Sequence, residues 1–64
     1  MDLRKVLVEQ RKERRIKQSD VAKHIGISNV ALSRYETGRT EMSHDKIDKY
    51  VDYLGLEIRI LVKQ

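Results

Sequence analysis

One stretch of the chain, from Gln18 to Arg39, constrains the fold more than any other. Within it a short apolar pattern stops at Gly26, and a second pattern begins behind Ser28 and stops at Gly38. Glycine just past a helix end adopts the left-handed conformation that lets the last carbonyls find donors, and a serine hydroxyl caps the free amides of a new helix. The stretch therefore predicts two short helices joined by a tight turn, the helix-turn-helix layout.

The second of these helices divides its residues between two faces. An inward face is predicted for the residues spaced at i, i+1, i+4 and i+5, namely Ala31, Leu32, Tyr35 and Glu36. The opposite face carries Asn29, Val30, Ser33 and Arg34. Asparagine can pair bidentately with adenine, arginine with guanine, and valine can contact a thymine methyl. We therefore predict DNA base contacts from this outward face; the alternative is an ordinary solvated helix face.

The charge is distributed unevenly along the chain. Residues 1–40 contain ten Lys and Arg against five Asp and Glu, and residues 41–64 contain four against five, so +5 and −1 give the total of +4. The basic excess lies in the half that holds the helix pair. This distribution favours a polyanionic partner, because each neutralised phosphate releases counterions. A basic protein without such a partner is the alternative.

Length and composition bound the remaining possibilities. Sixty-four residues make one domain, which buries only about 60% of the surface exposed by its unfolded form, so association is an expected support. The absence of cysteine excludes disulfides and fits a reducing compartment. No apolar run approaches the roughly 18 residues of a membrane span, and the N-terminus lacks the apolar core of a signal peptide. We expect a cytoplasmic protein that does not enter membranes.

A first helix is predicted over about residues 2–15, from an apolar stripe that includes Leu7. Arg11 lies one turn beyond Leu7 on this inward face. An unpaired buried guanidinium costs several kcal/mol, so Arg11 needs a carboxylate partner. Glu36 is the candidate, because it is the charged residue on the inward face of the third helix.

A fourth helix is predicted between Ser43, a good N-cap, and Gly55, with apolar spacing of Ile47, Tyr50, Val51 and Leu54. The two histidines, His24 and His44, have no second ligand at helical spacing, so we expect no metal site. The sequence contains no Gly-rich phosphate loop, no nucleophile elbow and no paired carboxylates in an apolar setting. We therefore expect neither an enzyme nor a bound cofactor.

Taken together, these residues resemble the phage repressor and Cro-like, or XRE-type, helix-turn-helix regulators. The resemblance covers about residues 3–55 and rests on the joint spacing of Gln18, Val21, Ala22, Gly26, Ser28, Leu32 and the run from Glu36 to Arg39. It implies that the third helix enters the major groove of DNA. It also implies that Arg11 and Glu36 form a structural ion pair between helices.

The same resemblance implies contacts with the DNA backbone. Gln18, at the start of the second helix, is similar to the phosphate contact of the family, and Arg39 and Thr40 occupy the loop where further contacts are expected. Lys17 departs from the family, which often has a capping Ser or Thr there, but a lysine can itself reach a phosphate. Ser28 completes the expected set. A solvated loop is the alternative for Arg39 and Thr40.

Beyond Gly55 the hydrophobic period changes to two. The aliphatic residues Leu56, Ile58, Ile60 and Val62 alternate with Glu57, Arg59, Leu61 and Lys63, which is typical of a half-buried strand. No other segment has a strand pattern, and a lone strand leaves its backbone groups unpaired. We therefore predict a homodimer with a shared two-stranded antiparallel sheet, similar to that of HipB-like antitoxins. A frayed tail is the alternative.

The predicted fold is mainly α: a four-helix repressor-like helix-turn-helix bundle over residues 1–55, and one C-terminal β-strand over residues 56–64 that pairs across a homodimer. The predicted function is sequence-specific binding of double-stranded DNA by a transcriptional regulator, a repressor, at a two-fold symmetric operator. The rival function is that of an antitoxin-type interaction module, which neutralises a partner protein such as a toxin and binds DNA secondarily.

Overall fold

The computed structural model describes residues 2–59. It has four helices, in the order α1 (Leu3–Glu13), α2 (Gln18–Ile25), α3 (Asn29–Glu36) and α4 (His44–Tyr53), and no strand within the described residues. The prediction of a mainly helical, four-helix bundle is therefore confirmed. None of the four helices is long and apolar enough to cross a bilayer, a finding that concerns residues 2–59 alone.

One apolar core holds the four helices together. Each helix contributes one fully buried large side chain, and these are Leu7, Val21, Leu32 and Tyr50. The remaining buried members are Ala22, Ile25, Tyr35, Val51 and Leu54. Burying a side chain of this size contributes about 1.5–3 kcal/mol, so the core is the main source of stability. α2 packs against both α3 and α4, and α1 packs against α3.

The turn between α2 and α3 forms as the sequence predicts. Gly26 has a φ of 89°, and its N–H donates to the carbonyl of Ala22 at 2.8 Å. The Oγ of Ser28 accepts a hydrogen bond of 3.0 Å from the N–H of Ala31. Ile27 lies half-buried against the core between these two residues. The left-handed glycine and the serine cap together set where α3 begins and how it leaves the turn.

α1 is shorter than predicted, because it ends at Glu13 and not at residue 15. Arg14 caps the helix, and Arg15 takes the left-handed conformation with a φ of 56°. The N–H of Ile16 then donates to the carbonyl of Arg11 at 3.0 Å. The left-handed region costs a residue with a Cβ about 1–2 kcal/mol, so the surrounding structure holds Arg15 in place.

The segment after α4 has no regular secondary structure from residue 56 to residue 59. Leu56 donates its N–H to the carbonyl of Val51 at 3.1 Å and lies half-buried on the core. Ile58 is 46% exposed. The strand predicted for this segment needs a second copy as its partner, and its members Ile60 and Val62 lie outside the described residues.

Candidate nucleic-acid interface

α3 presents one face to the core and the other to solvent. Leu32 and Tyr35 are 0% and 2% exposed and fix the helix on the core. On the opposite side Asn29, Val30 and Arg34 are exposed, with Val30 at 59%, and Ser33 is half-buried. The helix therefore carries amide, aliphatic and guanidinium groups on a surface that is accessible to a ligand.

A buried carboxylate lies at the last residue of α3. Glu36 accepts two hydrogen bonds from Arg11, one from Nε at 2.9 Å to Oε2 and one from Nη2 at 2.8 Å to Oε1. The remaining terminal nitrogen of Arg11 donates to the carbonyl of Ile16 at 3.0 Å. The two side chains are 10% and 5% exposed. This bidentate geometry joins α1 to α3 and supplies the charged partner that the buried guanidinium needs.

Two further residues donate to the same carboxylate. Nε2 of Gln18 lies 2.9 Å from Oε1 of Glu36, and the hydroxyl of Tyr50 lies 2.5 Å from Oε2. Glu36 thus receives bonds from α1, α2 and α4, so one side chain at the end of α3 contacts every other helix. The start of α2, where Gln18 lies, is held beside the end of α3 by this cluster.

The cluster fixes the ionisation states of its members. Burial raises the pKa of Glu36, but the hydrogen bonds from Arg11, Tyr50 and Gln18 outweigh it and bring the pKa below the ordinary value of 4.5. Burial raises the pKa of Tyr50 well above its ordinary value of 10.0, and the adjacent Glu36 raises it further. At neutral pH a carboxylate therefore accepts from a neutral phenol.

The residues predicted to contact the DNA backbone lie at both ends of α3 and at the start of α2. Lys17 is exposed and precedes α2 without a side-chain cap. Ser28 uses its oxygen as an acceptor for the cap, so its hydroxyl can still donate. Gln18 is half-buried, and one of the two Nε2 hydrogens points to Glu36.

Arg39 and Thr40 lie in the loop after α3, and both are exposed. Their backbone N–H groups donate to the carbonyl of Arg34, at 2.9 Å and 3.3 Å. These two bonds occupy the N–H groups of both residues, so at these positions an anion can be bound by the side chains and not by the backbone N–H groups. The guanidinium of Arg39 and the hydroxyl of Thr40 are the groups that can reach a ligand.

Sequence reasoning missed three residues around this surface. Tyr50 was expected to be an apolar core residue, yet its hydroxyl contacts Glu36; a buried phenol needs a polar partner, and that was the available signal. Arg4 pairs with Glu41 at 2.9 Å, and its guanidinium carbon lies 4.9 Å from the ring centroid of Tyr35. Nothing local in the sequence indicates a contact between residues so far apart.

The described residues contain no group of three or more His, Asp or Glu side chains that could hold a metal ion. The ring of His24 lies 5.0 Å from that of Tyr53 and tilts against it by 44°. This histidine therefore lies in an aromatic pair between α2 and α4.

Comparison with known proteins finds one match. The model of a family described as helix-turn-helix matches residues 7–61, which is most of the chain. No curated protein and no solved structure gives a significant match. The matched segment contains α2, the turn at Gly26 and α3 with its exposed outer face. The chain therefore belongs to the Cro/C1-like, or XRE-type, family of DNA-binding helix-turn-helix regulators.

Proposed function

We propose that this DNA-binding regulator is a sequence-specific transcriptional repressor, which acts in the cytoplasm as a homodimer on a two-fold symmetric operator. One observation carries the proposal. α3 buries Leu32 and Tyr35 and leaves Asn29, Val30 and Arg34 exposed on its other side. A rigid helix with a free face of this chemistry is what contact with base edges requires.

In the proposed complex α3 lies in the major groove, whose width of about 12 Å admits an α-helix. Asn29, in the first turn, pairs with adenine, and Arg34 pairs with guanine. Val30 contacts a thymine methyl, and the half-buried Ser33 contributes a short polar contact at the edge of the surface. The mixture of an amide, a guanidinium and an aliphatic group favours selection of particular bases over mere attraction to charge.

The proposed backbone contacts flank this helix. Lys17 and Gln18 at the start of α2, together with Ser28 in the turn, contact one set of phosphates. Arg39 and Thr40, after α3, contact another. Gln18 donates one Nε2 hydrogen to Glu36 and has a second for a phosphate oxygen. Since Lys17 and Arg39 carry the positive charges that neutralise phosphates, affinity should fall as salt rises on every DNA sequence.

We assign dimerisation to the segment that follows residue 55, and the DNA-binding domain to the residues before it. A mainly apolar groove lies between α1, α4 and the tail; it is lined by Leu3, Val6, Leu7, Val51, Leu56 and Ile58, together with the charged Glu57 and Arg59. The sequence of residues 56–64 has no Gly, Pro, Asn, Asp or Ser that would turn the chain back on itself. This composition favours pairing between two tails over a hairpin within one.

In the proposed dimer, the two-fold axis between the tails relates two copies of α3 that bind one duplex together. Helix-turn-helix dimers bind half-sites separated by one helical turn or a multiple of it. We therefore expect the operator to consist of two inverted half-sites with centres about 10 base pairs apart, or a multiple of that distance.

The test is selection of bound sequences from a random duplex pool by the full chain alone. The expected result is an enriched inverted repeat, bound with an affinity that falls steeply as salt rises. Enrichment of no sequence would contradict the proposal. If the chain binds DNA weakly by itself and tightly only with a second protein, the antitoxin-type interaction module replaces the repressor.

A further inference from the structure

The segment that joins α3 to α4 is held by a side chain from near the start of the chain. Nη2 of Arg4, in the first turn of α1, lies 2.9 Å from Oε1 of Glu41 and 3.5 Å from the carbonyl oxygen of Thr40. The guanidinium lies over the buried ring of Tyr35. Arg4 therefore contacts two consecutive residues of the loop while its own position is fixed on the core.

The contacts of Arg4 lie at the end of the loop segment whose backbone is hydrogen-bonded to α3. The N–H groups of Gly38, Arg39 and Thr40 donate to the carbonyls of Tyr35 and Arg34 at the end of α3. Glu41 is the next residue along the chain, and its described polar contact is the side-chain bond to Arg4. The loop is thus tied to α3 on one side of Thr40 and to α1 on the other.

We propose that Arg4 and Glu41 are positioning residues for phosphate binding: their contact holds the loop so that Arg39 and Thr40 face the DNA backbone. The inference rests on the proposed function, which assigns both loop residues to phosphates. The side chain of Arg4 is 22% exposed and that of Glu41 is 84% exposed. An ion pair with a carboxylate this exposed adds little to folding stability, so its removal should leave the helices folded and affect mainly the loop.

The charge of Glu41 makes the proposal testable, because the two effects of removing it change DNA affinity in opposite directions. A carboxylate two residues from Arg39 repels phosphate, and its removal raises the net charge of the chain by one unit. Electrostatics alone therefore predicts that the variant Glu41→Ala binds DNA more tightly. Loss of the contact with Arg4 predicts the opposite, because Arg39 and Thr40 must then be ordered when DNA binds.

The control is Asp48→Ala, which removes an exposed carboxylate of α4 and changes the net charge by the same amount. Binding of both variants to the selected operator and to random duplex is measured over a range of salt concentrations. We expect Glu41→Ala to bind both duplexes several-fold more weakly than Asp48→Ala, with a similar salt slope, because the phosphate contacts still form once the loop is ordered. Thermal unfolding, followed by circular dichroism, should be nearly equal for the two variants.

A double variant separates positioning from a general structural effect. If Glu41 acts through the loop, Glu41→Ala should cost little in a chain that already carries Arg39→Ala, whereas independent effects would add. The two proposals fail in distinguishable ways. If Arg39→Ala leaves DNA affinity unchanged, the assignment of the loop to phosphate is wrong. If Arg39→Ala weakens binding but Glu41→Ala binds as tightly as Asp48→Ala, the positioning role is excluded and the DNA-binding function stands.

Discussion

The side-chain amide of Gln18 donates to Oε1 of Glu36 at 2.9 Å, and this is the oxygen that accepts from Nη2 of Arg11 at 2.8 Å. A residue at the start of α2 is thereby tied to a carboxylate at the end of α3. Because the side chain of Glu36 is 5% exposed, the orientation of Gln18 depends on a group with almost no contact with solvent. The amide of Gln18 is therefore held by the buried cluster and is also the group that we propose contacts a phosphate.

The variant Gln18→Ala should weaken binding to operator and to random DNA by the same factor. A phosphate contact carries no sequence information, so its loss affects all duplexes alike. The variant also loses one hydrogen bond to a buried carboxylate, which costs about 1.5–3 kcal/mol of folding stability. Binding should be measured at a temperature where both chains are folded. A loss confined to the operator would contradict the assignment of Gln18 to phosphate.

The variant Arg34→Ala should lose about 1–3 kcal/mol of affinity for the operator and accept other bases at one position of each half-site. Its guanidinium is exposed on α3 and is expected to pair with guanine. The matched control is Lys12→Ala, which removes one exposed positive charge from α1, outside the residues proposed to contact DNA. Competition with operators changed at single positions is the measurement. Equal losses for the two variants on operator and random DNA would rule out base recognition by Arg34.

The variant Glu36→Gln should have a free energy of unfolding that is lower by about 3–5 kcal/mol at neutral pH. The reason is that it leaves the guanidinium of Arg11 buried without a counter-charge. The pKa of Glu36 is lowered in the folded chain, so its contribution is fully present above the ordinary value of 4.5. This contribution is lost as the pH falls through the folded pKa. The difference in free energy of unfolding between the two chains should therefore be largest near neutrality and shrink below pH 4.5.

Urea denaturation over this pH range tests the prediction, with Glu9→Gln as the control. Glu9 is an exposed residue of α1, and its replacement should change stability little at any pH. A difference between wild type and Glu36→Gln that stays constant down to low pH would show that ionisation of Glu36 is not the cause.

The variant Arg15→Gly should be more stable than the wild type by about 1 kcal/mol, because glycine adopts a positive φ without the steric cost of a Cβ. The neighbouring Arg14 has a φ of −85°, where glycine gains nothing and adds freedom to the unfolded chain. Arg14→Gly should accordingly be less stable, although it removes the same charge. Urea denaturation gives the free energy of unfolding of both variants. If both are less stable than the wild type, Arg15 is not strained.

The local part of the fold could be predicted from sequence because its signals are local. Gly26 ends α2 in the left-handed conformation and Ser28 caps α3, so a few adjacent residues define the helix-turn-helix. The end of α1 could not be predicted in this way. Arginine disfavours a positive φ, so nothing at position 15 indicates the reversal that the packed structure imposes.

Contacts between distant residues were harder to predict for the same physical reason. The bonds from Tyr50 to Glu36 and from Arg4 to Glu41 join residues 14 and 37 positions apart. Helical spacing assigns a residue to a face but does not say which side chain meets it from another helix. Arg11 was the exception, since a buried charge needs an opposite one and few carboxylates face inward.

We expect removal of residues 57–64 to convert the proposed dimer into a folded monomer. Leu56 is kept in this variant, because its N–H donates to Val51 and its side chain packs on the core. Operator affinity should fall sharply, since two half-sites are then bound by independent chains, while affinity of each chain for random DNA should change little. Sedimentation analysis gives the mass, and circular dichroism monitors the helices.

Two point variants sharpen this test, because Ile58 and Val30 are both exposed aliphatic residues at 46% and 59%. Ile58→Asn should lower the mass in solution, since it places a polar group on the face that the tails are proposed to share. Val30→Asn should leave the mass unchanged and alter the preferred operator, because it changes α3 alone. Each variant thus serves as the control for the other. A chain truncated after Leu56 that still sediments as a dimer would place the interface elsewhere, and the spacing of the half-sites would then have to follow from that other contact.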